Sequence, residues 1–200
     1  MAETDTDFAA LIGSRICHDL ISPVGAINNG LELLLMSGMN MSPEVALIDE
    51  SVRNASARLR FFRVAFGGGN TQPVAAQETT DILRDLYAQS KWEVTWPMGA
   101  APSRSALRMV FLGLLCLETG MPYGGRIVIR HHTTEWDITG TADRLNINAA
   151  LWGVLAGQPL AERLLPAQVQ FGLLPAIVQD SGQQLTSIVT ETTITLSIKG

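Results

Sequence analysis

A histidine at position 18 is followed by an aspartate and, five residues on, by a proline, within the stretch Ile16–Leu34, ICHDLISPVGAINNGLELL. A neutral imidazole nitrogen is a nucleophile near pH 7, because the free ring titrates at about 6.5. Whether it can act depends on whether it faces water. With successive residues about 100° apart on a helix, Ile16, Leu20, Val24, Ile27, Leu31 and Leu34 fall on one apolar stripe about 80° wide. His18 lies about 200° from the start of that stripe, and Ser22, Gly25 and Asn29 share its face. The ring is therefore expected in solvent, among side chains too small to keep a partner away. Pro23 has no N–H for the Asp19 carbonyl, so a bend is expected one turn beyond the histidine.

The elements that hold this face are helical. The first helix is expected from Asp7 to about Met39, ended by SGMNMS. Ser42 then reads as an N-cap, with Pro43 at the first helical position and Glu44 in the first turn. This second helix runs to about Phe66 and stops at GGG. Val45, Ile48, Val52, Ala55, Leu59, Phe62 and Phe66 alternate in steps of three and four, a heptad seam. Two long helices with a short link make an antiparallel hairpin. A single hairpin cannot cover both seams, so a homodimer forming a four-helix bundle is expected, with His18 on its outside.

The other residues set the class. The chain has 200 residues, 46% hydrophobic and 16% charged, with a net charge of −5. That suits one large or two small globular domains and argues against nucleic-acid binding. No apolar run approaches the ~20 residues of a membrane span. The N-terminus MAETDTDFAALIGS lacks the features of a signal peptide, so a cytoplasmic location is expected. Cys17 and Cys116 have no metal-ligand spacing and read as small buried hydrophobes.

Residues 67–80 look like a linker, which divides the chain into a hairpin domain, 1–70, and a mixed α/β domain, 71–200. The second is expected to hold a helix at 80–91 capped by Thr80, a strand at 93–97 and an apolar helix at 104–119. Paired strands GGRIVIRHH and EWDITGTA should follow, then helices near 146–156 and 166–180 and a terminal hairpin. The fold class is α+β.

The string HDLISP resembles the phosphoacceptor motif of the dimerisation and phosphotransfer domain of two-component histidine kinases. The longer ICHDLISPVGAINNGLELL is similar to the ChpT family of alphaproteobacterial histidine phosphotransferases, in which a dimerising hairpin precedes a degenerate, kinase-like ATP-binding domain. The resemblance is sharp over residues 14–35. It implies that His18 accepts and donates a phosphoryl group and that Asp19 fixes the ring tautomer. It further implies that Arg15, Ser22, Gly25 and Asn29 line the docking face and that Pro23 is structural. Many kinases with phosphatase activity carry Thr or Asn where Ser22 stands, which puts such a role in doubt. The implied donor is the receiver domain of a hybrid histidine kinase, and the implied acceptors are response regulators of the CtrA and CpdR type.

The second domain lacks the marks of nucleotide chemistry. Gly113 and Leu117 stand where Mg²⁺- and phosphate-binding asparagines are sought, DITGTADRL does not supply DxGxG, and no glycine-rich lid is present. Gly124, Gly125 and Gly140 read as turn glycines. Adjacent His131 and His132 in a strand point to opposite faces, which disfavours a shared metal. The chain is thus expected to bind no cofactor or metal, with Mg²⁺ supplied by the receiver. It would be a phosphotransferase without ATP-dependent kinase activity. A receiver-binding scaffold and a divergent autokinase are the alternatives.

Overall fold

A computed structural model describes residues 3–38, 42–67, 72–97, 101–133, 135–159 and 163–200, with the side chains of 3–12, 14, 15 and 19 outside that description. The described residues form a mixed α+β fold that divides into two compact units, Met1–Ala88 and Gln89–Gly200.

The first unit is helical. Helix α1 spans Glu3–Met36 and continues through Pro23. Helix α2 spans Pro43–Ala65. Its N-cap is Ser42, whose Oγ accepts from the Val45 N–H at 3.4 Å, with proline at the first helical position. Helix α3 spans Ala76–Tyr87, so the helix expected from Thr80 begins a turn earlier. Thr80 is inside it, its hydroxyl donating to the Ala76 carbonyl. The polar run AQETT, read as linker, is a first turn whose Thr79 is buried with Ile82, Leu83, Leu86 and Tyr87.

The α2 seam also differs in detail. Within the single chain Ile48 and Ala55 are exposed, whereas Ala57, Phe61, Val64 and Ala65 are buried. The reason is that α3 packs on α2, a contact the linker reading did not provide. Two ion pairs tie these helices, Arg60–Asp85 at 2.8 Å and Arg63–Glu78 at 3.3 Å.

The second unit holds strands β1 (Trp92–Thr95), β2 (Gly125–His132), β3 (Glu135–Thr141), β4 (Gln184–Val189) and β5 (Thr193–Lys199) in the order β1-β2-β3-β5-β4. β1 and β2 are parallel and the other neighbours antiparallel. Helices α4 (Arg104–Gly120), α5 (Ala149–Leu155) and α6 (Val169–Asp180) accompany the sheet, and Pro166–Gln168 form a 3-10 turn before α6. Alternation puts Ile127, Ile129, Ile138, Ile194, Leu196 and Ile198 on the buried face. Ser103 caps α4 by accepting from the Ala106 N–H at 3.2 Å, and Asn148 caps α5.

Gly125, with φ of 144°, is the first residue of β2, and Gly124, with φ of 95°, is a turn glycine whose N–H donates to the Met121 carbonyl at 3.0 Å. Gly140 is not. It lies inside β3, where a Cβ would collide with Met121 Sδ and meet Leu117 Cδ2 at 2.9 Å, so its small size serves helix–sheet packing.

Candidate functional site

The hairpin register follows from one close approach. A Cβ on Gly13 would stand 3.5 Å from Phe66 Cβ. Counting from that pair, Gly13, Cys17, Ile21, Val24, Asn28, Leu31 and Leu35 are the buried or half-buried stripe of α1. Its counterpart on α2 is Val45, Asp49, Val52, Ser56, Leu59, Arg63 and Phe66. Both advance in steps of three and four, so these stripes are the seam between the helices.

In an antiparallel pair of right-handed helices, residues that precede the seam on both helices face one side, and residues that follow it face the other. The preceding residues are apolar: Ile16, Leu20, Ile27 and Leu34 on α1, Ile48, Ala55 and Phe62 on α2. Ile16 is 53% exposed, Leu20 46%, Ile27 52%, Leu34 45% and Ile48 49%. The following residues on α1 are His18, Ser22, Gly25 and Asn29. Three are exposed and Gly25 is half-buried, with no described atom beyond its own stretch of helix within 4 Å of where its Cβ would be. The wheel reading therefore places the histidine correctly, on the flank opposite the exposed apolar one.

Arg15 and Asp19 lie in α1, but their side chains are outside the described residues, as is any contact between Asp19 and the ring. Cys17, beside His18 in the sequence, is buried in the seam. Burial pushes its thiol pKa up, while the Arg63 guanidinium pulls the other way.

Opposite this part of α1, α2 carries Arg58, Arg60 and Arg63, in the run ARLRFFR. Arg60 follows the seam residue Leu59, and its side chain reaches to α3. Its guanidinium donates through Nη2 to Asp85 Oδ2 at 2.8 Å, while its Nε is buried and has no hydrogen-bond partner among the described residues. Burial would raise the Asp85 pKa, but hydrogen bonds from Arg60 and Arg84, with their charges, outweigh it and hold the carboxyl below its ordinary range. These residues were not singled out from sequence. The available signal is a basic run with Arg63 in the seam and Arg58 and Arg60 on either side of seam residue Leu59, without the helix that pairs with it.

In the second unit Gly113 and Leu117 are buried. A Cβ on Gly113 would stand 2.5 Å from Ile138 Cδ1, and Leu117 packs over Gly140, so both positions face the sheet. His131 stacks on its cross-strand neighbour Trp136 with centroids 4.0 Å apart at 15°. Trp136 also meets Trp96 edge-on, Trp152 meets Phe171, and the Trp92 Nε1–H donates to the Met121 carbonyl at 2.9 Å. Among the described residues no group of three or more His, Cys, Asp or Glu could hold a metal, and no helix is long and apolar enough to cross a membrane.

Comparison with known proteins decides the family. The model of the histidine phosphotransferase C-terminal domain matches residues 76–193. This chain belongs to the histidine phosphotransferase family. The protein phosphotransferase ChpT of Brucella abortus (strain 2308) is 40% identical over 134 residues, 66% of this chain and 64% of that one, so the match spans under two thirds of the relative. A solved bacterial phosphotransferase superposes with a TM-score of 0.69 at 31% identity, covering 96% of each chain. The Acinetobacter baumannii histidine kinase AdeS matches at a TM-score of 0.44 and 10% identity over 91% of this chain and 96% of its own. The histidine phosphotransferase model begins at residue 76 and so takes in α3, which by its contacts groups with the hairpin.

Proposed function

We propose that this chain is a phosphorelay intermediate. His18 accepts a phosphoryl group from an aspartate in the receiver domain of a hybrid histidine kinase and passes it to response-regulator receiver domains. The observation that carries this reading is the exposed ring of His18 on the polar flank of the hairpin, beside the open position at Gly25. Membership of the histidine phosphotransferase family supports it.

In the forward step the lone pair on the unprotonated ring nitrogen forms the N–P bond. The O–P bond of the receiver's aspartyl phosphate breaks, and its electron pair leaves with the carboxylate. The other ring nitrogen keeps its proton, for which Asp19 is the proposed acceptor. The return step reverses these changes. Phosphoryl transfer depends mainly on positioning and charge stabilisation, and the receiver's Mg²⁺ supplies much of the charge.

The exposed apolar flank supports a homodimer, since a second copy bringing the same stripe would bury Ile16, Leu20, Ile27, Leu34 and Ile48 in a four-helix bundle. His18, on the opposite flank of each hairpin, would remain reachable. Arg15, Ser22, Gly25 and Asn29 are the proposed docking residues. The second unit is read as a kinase-like domain without nucleotide chemistry, and the chain itself as holding no cofactor. Response regulators of the CtrA and CpdR type are the proposed acceptors.

The test is a transfer assay with wild type and His18→Ala. Acid-labile label appearing with a phosphorylated receiver domain, absent with ATP alone and lost in His18→Ala, is the expected result. Label from ATP alone would make the chain a kinase. Receiver binding without any label would make it a scaffold.

A further inference from the structure

The sheet of the second unit ends in two edge strands, β1 and β4. They differ in how well they are guarded. β1 is four residues long, carries Glu93 and is flanked by Lys91 and Pro97. Short length, charge and proline all discourage a further strand. β4 is six residues long, QLTSIV, and residues 183–190 include no charge, proline or glycine. Alternation puts Ile188 on the sheet face away from the helices, 62% exposed, and Val189 on the helix side, 37% exposed.

The direction of the unused backbone groups follows from the turn. The Thr190 N–H donates to the Thr193 carbonyl at 2.9 Å, so these two form a hydrogen-bonded pair. In an antiparallel ladder such pairs alternate with unbonded ones. In the register of β4 on β5, Gln184, Thr186 and Ile188 therefore bond to β5. Leu185, Ser187 and Val189 turn their N–H and C=O groups to the open edge. Among the described residues no strand pairs with that side of β4. What satisfies such a row is another extended strand.

The spacing makes β4 its own complement. With a second β4 antiparallel across a two-fold axis at Ser187, Ser187 meets its own copy, and Leu185 and Val189 meet each other on both flanks. All three open residues then fall into hydrogen-bonded pairs, each exchanging two bonds. An axis at Thr186 or Ile188 would pair only two of the three. On the helix side leucine lies against valine, and on the other face each exposed Ile188 lies against Thr186. No charged residue faces its copy, since Glu191 falls opposite Gln183.

We propose that β4 is a self-association edge, at which the sheets of two copies of this chain join antiparallel through Leu185, Ser187 and Val189. A contact along one strand about 20 Å long buries much less than the ~1,600 Å² of a standard interface. The joint is therefore weak and forms as concentration rises. It is separate from the apolar flank of the hairpin and links chains, or pairs of chains, into larger assemblies.

Sedimentation of the full-length chain across a wide range of concentration reads the association. Ser187→Pro is expected to weaken it about tenfold or more, because both bonds donated across the axis by Ser187 are lost. The Ser187 N–H points away from β5, so the ladder within the chain keeps its bonds and the melting temperature should hold within a few degrees. Ile188→Lys puts an exposed charge on the same edge and should weaken association likewise, which covers a proline variant that fails to fold.

Cross-linking reads the register. Thr186→Cys and Ile188→Cys chains would be mixed and mildly oxidised, with wild type as the blank. An unbonded antiparallel pair brings Cα atoms to about 4.5 Å, within reach of a disulfide. Covalent dimers joining one variant to the other should exceed those formed by either alone. Sedimentation profiles of wild type, Ser187→Pro and Ile188→Lys that coincide at every concentration would overturn the proposal. A mixture that cross-links no better than its components would overturn it too, and would leave the edge to a strand from a different protein.

Discussion

A Cβ placed on Gly13 would come to 3.5 Å from Phe66 Cβ, an ordinary van der Waals distance between the two helices of the hairpin. The site therefore has room for one methyl and little more. Gly13→Ala should stabilise the first unit by about 0.5–1 kcal/mol, the cost of glycine within a helix. Gly13→Leu should destabilise it. Thermal melts of the two variants would check both signs.

The apolar flank gives an assembly prediction. Ile27→Lys places a charge in the middle of the exposed stripe without touching the seam. If the proposed dimer forms, the variant should sediment as a folded monomer and wild type as a dimer. A dimer that persists unchanged would mean that another surface pairs the chains.

On the proposed docking role, a substitution at Gly25 should separate docking from folding. Because no described atom beyond its own stretch of helix lies within 4 Å of its Cβ position, the first atom of a Gly25→Trp side chain meets no neighbour. The bulk should nevertheless hold a receiver away from His18. Transfer should fall by at least about tenfold, given how steeply rate depends on approach geometry, while the melting temperature stays within a few degrees.

Acid should weaken the α2–α3 tie. Asp85 has a folded-state pKa below its unfolded value, so its contribution is fully present above the ordinary carboxylate pKa of about 3.9. It is lost as pH falls through the lowered folded value. Urea midpoints of wild type and Asp85→Asn should differ at pH 7 and converge as the solution is acidified through this window. A gap that does not narrow would show that the carboxylate charge is not what stabilises the pair.

Gly124 gives the corresponding prediction for the second unit. Its φ is 95°, and a Cβ there would run into the Lys91 carbonyl oxygen. Gly124→Ala should cost about 1–3 kcal/mol or more. Denaturant titration followed by tryptophan fluorescence would measure it, since all four tryptophans lie in that unit.

The hairpin was legible because its signals are local. A serine–proline cap begins α2, and a 3.6-residue period set His18 apart from the apolar stripe. The α2 seam was shifted because Ile48 and Ala55 are as apolar as a core residue, and sequence does not tell a seam from an exposed flank one residue away. Asp49, Ser56 and Arg63 in the real seam disguised it further. α3 started late because its first turn is polar and its buried Thr79 looks like a loop residue. Gly140 reads as a turn residue because a glycine that makes room for Met121 and Leu117 across a layer gives no local sign of doing so. The Arg60–Asp85 pair was out of reach for the same reason, its partners being 25 positions apart.

The two cysteines have a practical consequence. Cys17 and Cys116 are both buried, and desolvation raises the pKa of each thiol, so little reactive thiolate is available to an alkylating reagent. The native chain is therefore ready for site-specific labelling without first removing its own thiols. A single cysteine at exposed Asn29 or Ala55 would carry a fluorophore or spin label on the polar or the apolar flank alone. Receiver approach and chain pairing could then be watched separately in one protein.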